Sequence, residues 1–168
     1  MIIFFRGKAA TGKSLLAGRL SQRLDIEVIT KDTVFDLLLS EGCSWDDANA
    51  ITYDKLASLI QEKHDANQSV IVDLGLAHTP YFDQFLSKMT LSNKKKFLFD
   101  CSNTEVWAKR IQERIDNPAG PNQAFTSVEH AFNHYKKYDI LAHSDEIIID
   151  SIGEIRQIEK IIVKALDL

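Results

Sequence analysis

Five short apolar runs mark the chain, at residues 2–6, 26–30, 70–73, 96–101 and 146–150, with helical spacing between them. Runs that stay apolar rather than alternating suit strands buried on both faces of a parallel sheet. The stretches between them carry helix signals. Ser102-Asn103-Thr104-Glu105, Thr126-Ser127-Val128-Glu129 and Ser151-Ile152-Gly153-Glu154 read as capping boxes, each led by a hydroxyl residue. Thr79-Pro80 sets a cap residue before a proline at the first helical position. Gly42 stops the helix that ends Leu37-Leu38-Leu39-Ser40-Glu41. Ile155, Ile158, Ile161, Ile162, Ala165 and Leu166 give the last helix one apolar face for the sheet. Alternating strands and helices predict a three-layer α/β fold with right-handed crossovers, a single domain over residues 1–168.

The first run leads straight into Gly7-Lys8-Ala9-Ala10-Thr11-Gly12-Lys13-Ser14, a match to GxxxxGK[ST]. An apolar strand before it and an amphipathic helix after it are the context that this motif requires. The two glycines permit turns that a Cβ would obstruct. The loop's N–H groups then form an anion nest, with the helix N-terminus behind it. Lys13 is expected to bind β/γ-phosphate oxygens, and Ser14 to hold Mg²⁺. In an empty loop Lys13 would be exposed. Leu15 completes the nucleotide-contacting set.

In such sheets, ligands bind beyond the carboxyl ends of the strands. Asp32 follows the second strand and Asp73 ends the third. Asp73 is expected to hold Mg²⁺ beside Ser14, the alternative being a loop or cap carboxylate. Asp32 has two readings, a cap for a helix over 33–40 or a general base for a substrate hydroxyl. Arg110 and Arg114 stand i, i+4 on the helix after the fourth strand, so they share a face. They are candidates for stacking on adenine and neutralising phosphate, against a plain solvated face. Downstream, residues 116–123 hold two of the three prolines, as an ordinary turn or the tip of a lid over about 105–135. His130 and His134 are also i, i+4, but the sequence is not HExxH and no third zinc ligand stands out. Phe35, Trp45 and Tyr53 read as packing residues.

Composition narrows the partners. Net charge is −4 and pI about 5.7, which disfavours a non-specific nucleic-acid binder. The two cysteines, Cys43 and Cys101, make no disulfide framework, and Cys101 falls in an apolar run as a buried thiol. No run approaches membrane-spanning length. The expected setting is cytoplasmic, as a monomer or homodimer.

Together, Gly7–Ser14, the strand-end Asp32, Val70-Ile71-Val72-Asp73 and Arg110-x-x-x-Arg114 resemble the small P-loop kinases of the nucleoside-monophosphate-kinase-like group. The similarity extends over the whole chain. It is nearest to the branch with polynucleotide kinases, chloramphenicol phosphotransferases, gluconate kinases and zeta-type toxins. The resemblance implies a five-stranded parallel sheet of order 2-3-1-4-5 with a helical lid. It implies ATP and Mg²⁺, with catalytic roles for Lys13, Asp32, Arg110 and Arg114 and a Walker B-type role for Asp73. Arg110 is similar to the lid arginine on adenine, Arg114 to the one on phosphates, and Asp32 to the acceptor-activating aspartate. The expected activity is transfer of the γ-phosphate to a hydroxyl of a small molecule. The alternatives are a nucleotide or polynucleotide kinase, a toxin-like sugar-nucleotide kinase, or a nucleotide-binding module without transfer. No acceptor-site signature follows Thr30-Lys31-Asp32-Thr33.

Overall fold

Every residue of β1 (Ile2–Gly7) is buried, because this strand lies at the centre of the sheet with helices on both faces. Its side chains alternate between two cores. Ile2 and Phe4 join one cluster with Phe35, Leu56, Ile60, Phe82 and Phe85. Ile3 and Phe5 join the other with Leu16, Leu20, Phe97, Phe99 and Ile162. Phe4 packs edge-on to Phe82 at 5.9 Å and Phe5 to Phe97 at 5.5 Å. The computed structural model describes residues 1–118 and 125–166.

The remaining elements are α1 (Lys13–Leu24), β2 (Glu27–Thr30), α2 (Lys31–Ser40), α3 (Trp45–Asp65), β3 (Val70–Asp73) and α4 (Thr79–Leu86). Then come β4 (Lys94–Asp100), α5 (Thr104–Asp116), α6 (Val128–Tyr135), β5 (Glu146–Asp150) and α7 (Ile155–Ala165). Strand alternates with helix, with two helices in succession after β2 and after β4. The five strands are parallel in the order β2-β3-β1-β4-β5, as expected. This order sets β3 directly beside β1, so Asp73 pairs with Phe5 just before the loop that follows Gly7. It sets β2 beside β3, with Thr30 opposite Asp73.

Several expected helix starts move. Ser102 donates its hydroxyl to Asp150 at 2.6 Å, so Asn103 caps α5 in its place by accepting from Val106 N–H. Ser127 rather than Thr126 caps α6, accepting from His130 N–H. Ser151 is engaged by Arg110, and α7 starts three residues later, after Glu154, with no side-chain cap. His78 is the residue before α4, so Thr79 is already helical and Pro80 follows it. Gly42, at φ 91°, does stop α2: Cys43 N–H reaches back to Leu38 O at 3.1 Å. On α7 and its C-cap, Ile158, Ile162 and Leu166 are buried at strict four-residue spacing, while Ile161 is 52% exposed and leaves the predicted face. Trp45 is also not core. It is 55% exposed and leans edge-on against buried Phe35 at 5.7 Å.

The least expected core member is Arg6. It is fully buried on β1, and its guanidinium forms a two-pronged pair with Glu146 at 2.7 and 2.6 Å. It also donates to Ala77 O and Leu141 O and lies 4.6 Å over the Phe82 ring. Four of the five donors of the arginine fork are thereby engaged. The pair pins the loop after β3 and the segment before β5 to the central strand.

Candidate active site

The carboxyl end of β1 is locked before any ligand is considered. Gly7 has φ 136°, and a Cβ there would sit 2.0 Å from Phe99 O on neighbouring β4. Gly12, at φ 80°, forms the N-cap of α1, with open space where its Cβ would be. The first turn of α1 has no acidic residue and no side-chain cap. Its N–H groups and dipole are therefore left to an anion.

Lys13 is not exposed, contrary to expectation. It is 8% exposed, and its ammonium donates to Gly7 O at 3.1 Å and Lys8 O at 2.6 Å. The loop's own carbonyls take the charge. Burial lowers its pKa to about 8, with Asp73 working against that shift. Ser14 donates its hydroxyl to Asp73 Oδ2 at 2.6 Å. Burial pushes the Asp73 carboxyl up, while Lys13 and the Ser14 hydrogen bond pull it down. Asp32 adds to the upward push and Arg114 opposes it. Five of the residues singled out by the sequence thus share one electrostatic field.

Asp32 is exposed in the first turn of α2. It is not the cap: Thr30 is, accepting from Thr33 N–H at 2.9 Å. The alternative structural role for Asp32 is thereby taken by another residue. Arg110 donates to Ser151 Oγ and Ser151 O, both at 3.0 Å, tying α5 to the end of β5. Arg110 and Arg114 nevertheless line one cavity of about 300 Å³ with Ala10, Gly12, Lys13 and Leu15. Of the turn at 116–123, residues 119–123 lie outside the described residues.

Three features escaped the sequence reading. Trp107 and Tyr135, on α5 and α6, hold the backbone on both sides of the Ala9 Cα: the indole donates to Ala9 O at 2.9 Å, and Ala9 N–H donates to the phenol at 2.8 Å. Trp107 lies one turn before Arg110, so its place on the helix that carries the two arginines was the available signal. Lys8 pairs with Asp100 at 2.8 Å and lies 5.6 Å over Trp107. A second cavity, about 360 Å³, opens between α3 and α4, lined by Tyr53, Asp54, Tyr81, Gln84, Phe85 and Lys88. Burial, and secondarily Asp32, raises the Tyr53 phenol to about 12. His134 stacks obliquely on His78 at 4.9 Å, and His130 lies edge-on to Phe125 at 5.5 Å.

The site fits Mg-nucleotide chemistry on its own terms. Ser14 and Asp73 supply hard oxygen donors beside an anion nest, the donor set that Mg²⁺ shares with phosphate oxygens. Among the described residues no helix is long and apolar enough to cross a membrane.

Comparison with known proteins agrees with this geometry. The AAA domain family matches residues 2–138. A sugar kinase from Janibacter sp. HTCC2649, solved unliganded, superposes with TM-score 0.71 at 16% identity, over 99% of this chain and 94% of that one. A gluconokinase from Sinorhizobium meliloti 1021 gives TM-score 0.66 at 16% identity, over 98% and 90%. Shikimate kinase from Aquifex aeolicus vf5 gives 0.56 at 20% identity, over 99% and 96%. No curated protein matches the sequence. A phosphate loop closing the central strand, an adjacent strand ending in a carboxylate, and a family match over residues 2–138 make the chain a member of the AAA domain family, with the fold of the small P-loop kinases.

Proposed function

We propose that the protein is an ATP-dependent kinase that transfers the γ-phosphate to a hydroxyl of a small molecule. The observation that carries this reading is the Ser14–Asp73 hydrogen bond, set beside buried Lys13 and one strand away from Asp32. A bound Mg²⁺, held by Ser14 and Asp73, would supply charge neutralisation at the phosphate oxygens.

The chain's own residues do the rest. Lys13 exchanges its loop carbonyls for phosphate oxygens. Arg110 and Arg114 bring positive charge from the lid side of the same cavity. Asp32 accepts the proton of the acceptor hydroxyl as its oxygen bonds to phosphorus and the bond from phosphorus to the ADP oxygen breaks. The cavity between α3 and α4 supports entry of the acceptor from the Tyr53 side, since Tyr53 lines it and feels the Asp32 charge. Its aromatic walls and polar rim suit a small polyhydroxylated molecule better than a polynucleotide, as does the net charge of −4.

The test is ADP formation from ATP and Mg²⁺ against a library of sugars, sugar acids and other hydroxylated metabolites. Acceptor-dependent ADP release by the wild type, lost in Asp32→Asn, is the expected result. Tight ATP binding with no acceptor-stimulated turnover anywhere in the library would leave the protein a binding module.

A further inference from the structure

The cavity of about 360 Å³ between α3 and α4 has polar groups without partners and a charge pair at its edge. The Tyr53 ring is half-buried and stands edge-on to buried Phe85 at 5.8 Å. Among the described residues its hydroxyl makes no hydrogen bond, and neither does the Gln84 carboxamide on the facing helix. No sealed side-chain oxygen or nitrogen of the described residues lacks a partner. The Tyr53 hydroxyl therefore opens onto solvent space, and the cavity is the space that it lines. Burial raises this phenol to about 12, so it keeps its proton and can donate it. Asp54 of α3 and Lys88, just past α4, meet at 2.5 Å. Both also line an adjoining cavity of about 450 Å³, together with Glu62 and Asp65. The ion pair thus stands where the two cavities join. The first holds one charge of each sign; the second holds three carboxylates against the Lys88 ammonium.

We propose that the α3–α4 cavity is the recognition pocket of the acceptor, and that the acceptor is a neutral polyhydroxylated ring rather than a sugar acid or sugar phosphate. This rests on the kinase reading above and names the class of molecule it acts on. The C–H face of such a ring packs on Tyr81 and Phe85. Its hydroxyls take the unpartnered groups: Tyr53 donates to one, and the Gln84 carboxamide pairs with another. Each hydroxyl both donates and accepts, so a vicinal pair can bridge the Asp54 carboxylate and the Lys88 ammonium without undoing their neutrality. An anionic acceptor gains Lys88 only by breaking the existing pair. It then faces Asp54 at close range, with Glu62 and Asp65 beyond it. Tyr53, Gln84 and Asp54 set specificity here and carry no proton in the transfer.

The experiment measures ADP formation from ATP and Mg²⁺ with matched pairs of neutral and acidic compounds: glucose with gluconate and glucuronate, ribose with ribonate, and inositol alone. The expected result is an acceptor among the neutral compounds, favoured roughly tenfold or more in kcat/KM over its acid. Tyr53→Phe keeps the ring contact with Phe85 and removes only the hydroxyl. It should raise KM for that acceptor about three- to tenfold, with little change in kcat or in affinity for an ATP analogue. Asp54→Asn, at an exposed position, leaves Lys88 unpaired and should move the preference several-fold toward the acid, about the worth of one charge near the surface. Transfer to an acid in preference to its neutral partner would overturn the proposal and leave the kinase reading in place. A neutral acceptor whose KM ignores both variants would also overturn it, since the acceptor would then bind elsewhere. ATP binding with no ADP formed from any compound would bring down the kinase reading, and the acceptor pocket with it.

Discussion

The hydroxyl of Ser14 and the carboxylate of Asp73 meet at 2.6 Å although 59 positions separate them. The meeting follows from strand order: α1 begins beyond β1, and β3 pairs with β1 along its length. Asp73→Asn keeps the shape and the contact with Ser14 while removing the charge. Its expected effect is to abolish most of the Mg²⁺ enhancement of ATP binding and to lower kcat by about a hundredfold or more. Calorimetry with and without Mg²⁺ checks the first effect and an acceptor assay the second. An unchanged Mg²⁺ dependence would remove Asp73 from the metal side.

Asp32 is separable from helix capping. Thr30→Ala should cost about 1 kcal/mol of stability through loss of the cap, with little effect on chemistry. Asp32→Asn should do the reverse, leaving the melting curve in place and lowering kcat by about a hundredfold at unchanged ATP affinity. Full turnover in a folded Asp32→Asn protein would take the general-base role away from this residue.

Lys13 gives a pH signature. Its folded pKa lies near 8, below the unfolded value of 10.5. Between those values the unfolded chain binds the extra proton, so stability rises with pH across that window and the penalty is fully present below it. Lys13→Met lacks the amine. Wild type should therefore gain stability relative to Lys13→Met from pH 8 to about 10.5, by a few kcal/mol at most. Denaturant titrations at several pH values measure this difference. The same variant should lose roughly ten- to hundredfold in ATP affinity.

Arg110 and Arg114 are expected to move with the lid. Hydrogen exchange across residues 105–118 and 125–135 should slow on saturation with an ATP analogue, as closure excludes water from the phosphates. Equal exchange in both states would argue for a fixed wall in place of a lid. Arg110→Lys should weaken nucleotide binding even though charge is kept, because lysine cannot reproduce the two bonds to Ser151.

Glu146→Gln tests the buried pair with Arg6. Removing one charge of a fully buried pair leaves the other uncompensated, a loss of about 3 kcal/mol in stability. ATP affinity of the folded fraction should be unaffected, since neither residue lines the nucleotide cavity.

What the sequence made legible followed from local physics. The apolar runs located all five strands, and the loop motif fixed where phosphate would go. Strand order came through resemblance and was correct. Local patterns failed where a side chain had a distant partner. Ser102 and Ser151 both looked like caps, yet Asp150 and Arg110 claim their hydroxyls across the fold. Arg6 stood in the first apolar run without a role, and only the arrival of Glu146, 140 positions away, makes its burial stable. Lys13 looked solvated because its partners are backbone carbonyls, which leave no mark in residue types. The Ala9 grip was invisible for the same reason.

The two glycines of the loop answer to different pressures. Position 7 is constrained by Phe99 O of the neighbouring strand, a clash of sheet against loop that exists with or without nucleotide. Position 12 has empty space around its Cβ and needs only a left-handed backbone, which asparagine or aspartate can also adopt. A descendant of this chain with no anion to hold would thus still keep its glycine at 7, held there by architecture, while position 12 drifted. Within this fold, the second glycine is the better witness to phosphate binding, and the first testifies mainly to the sheet.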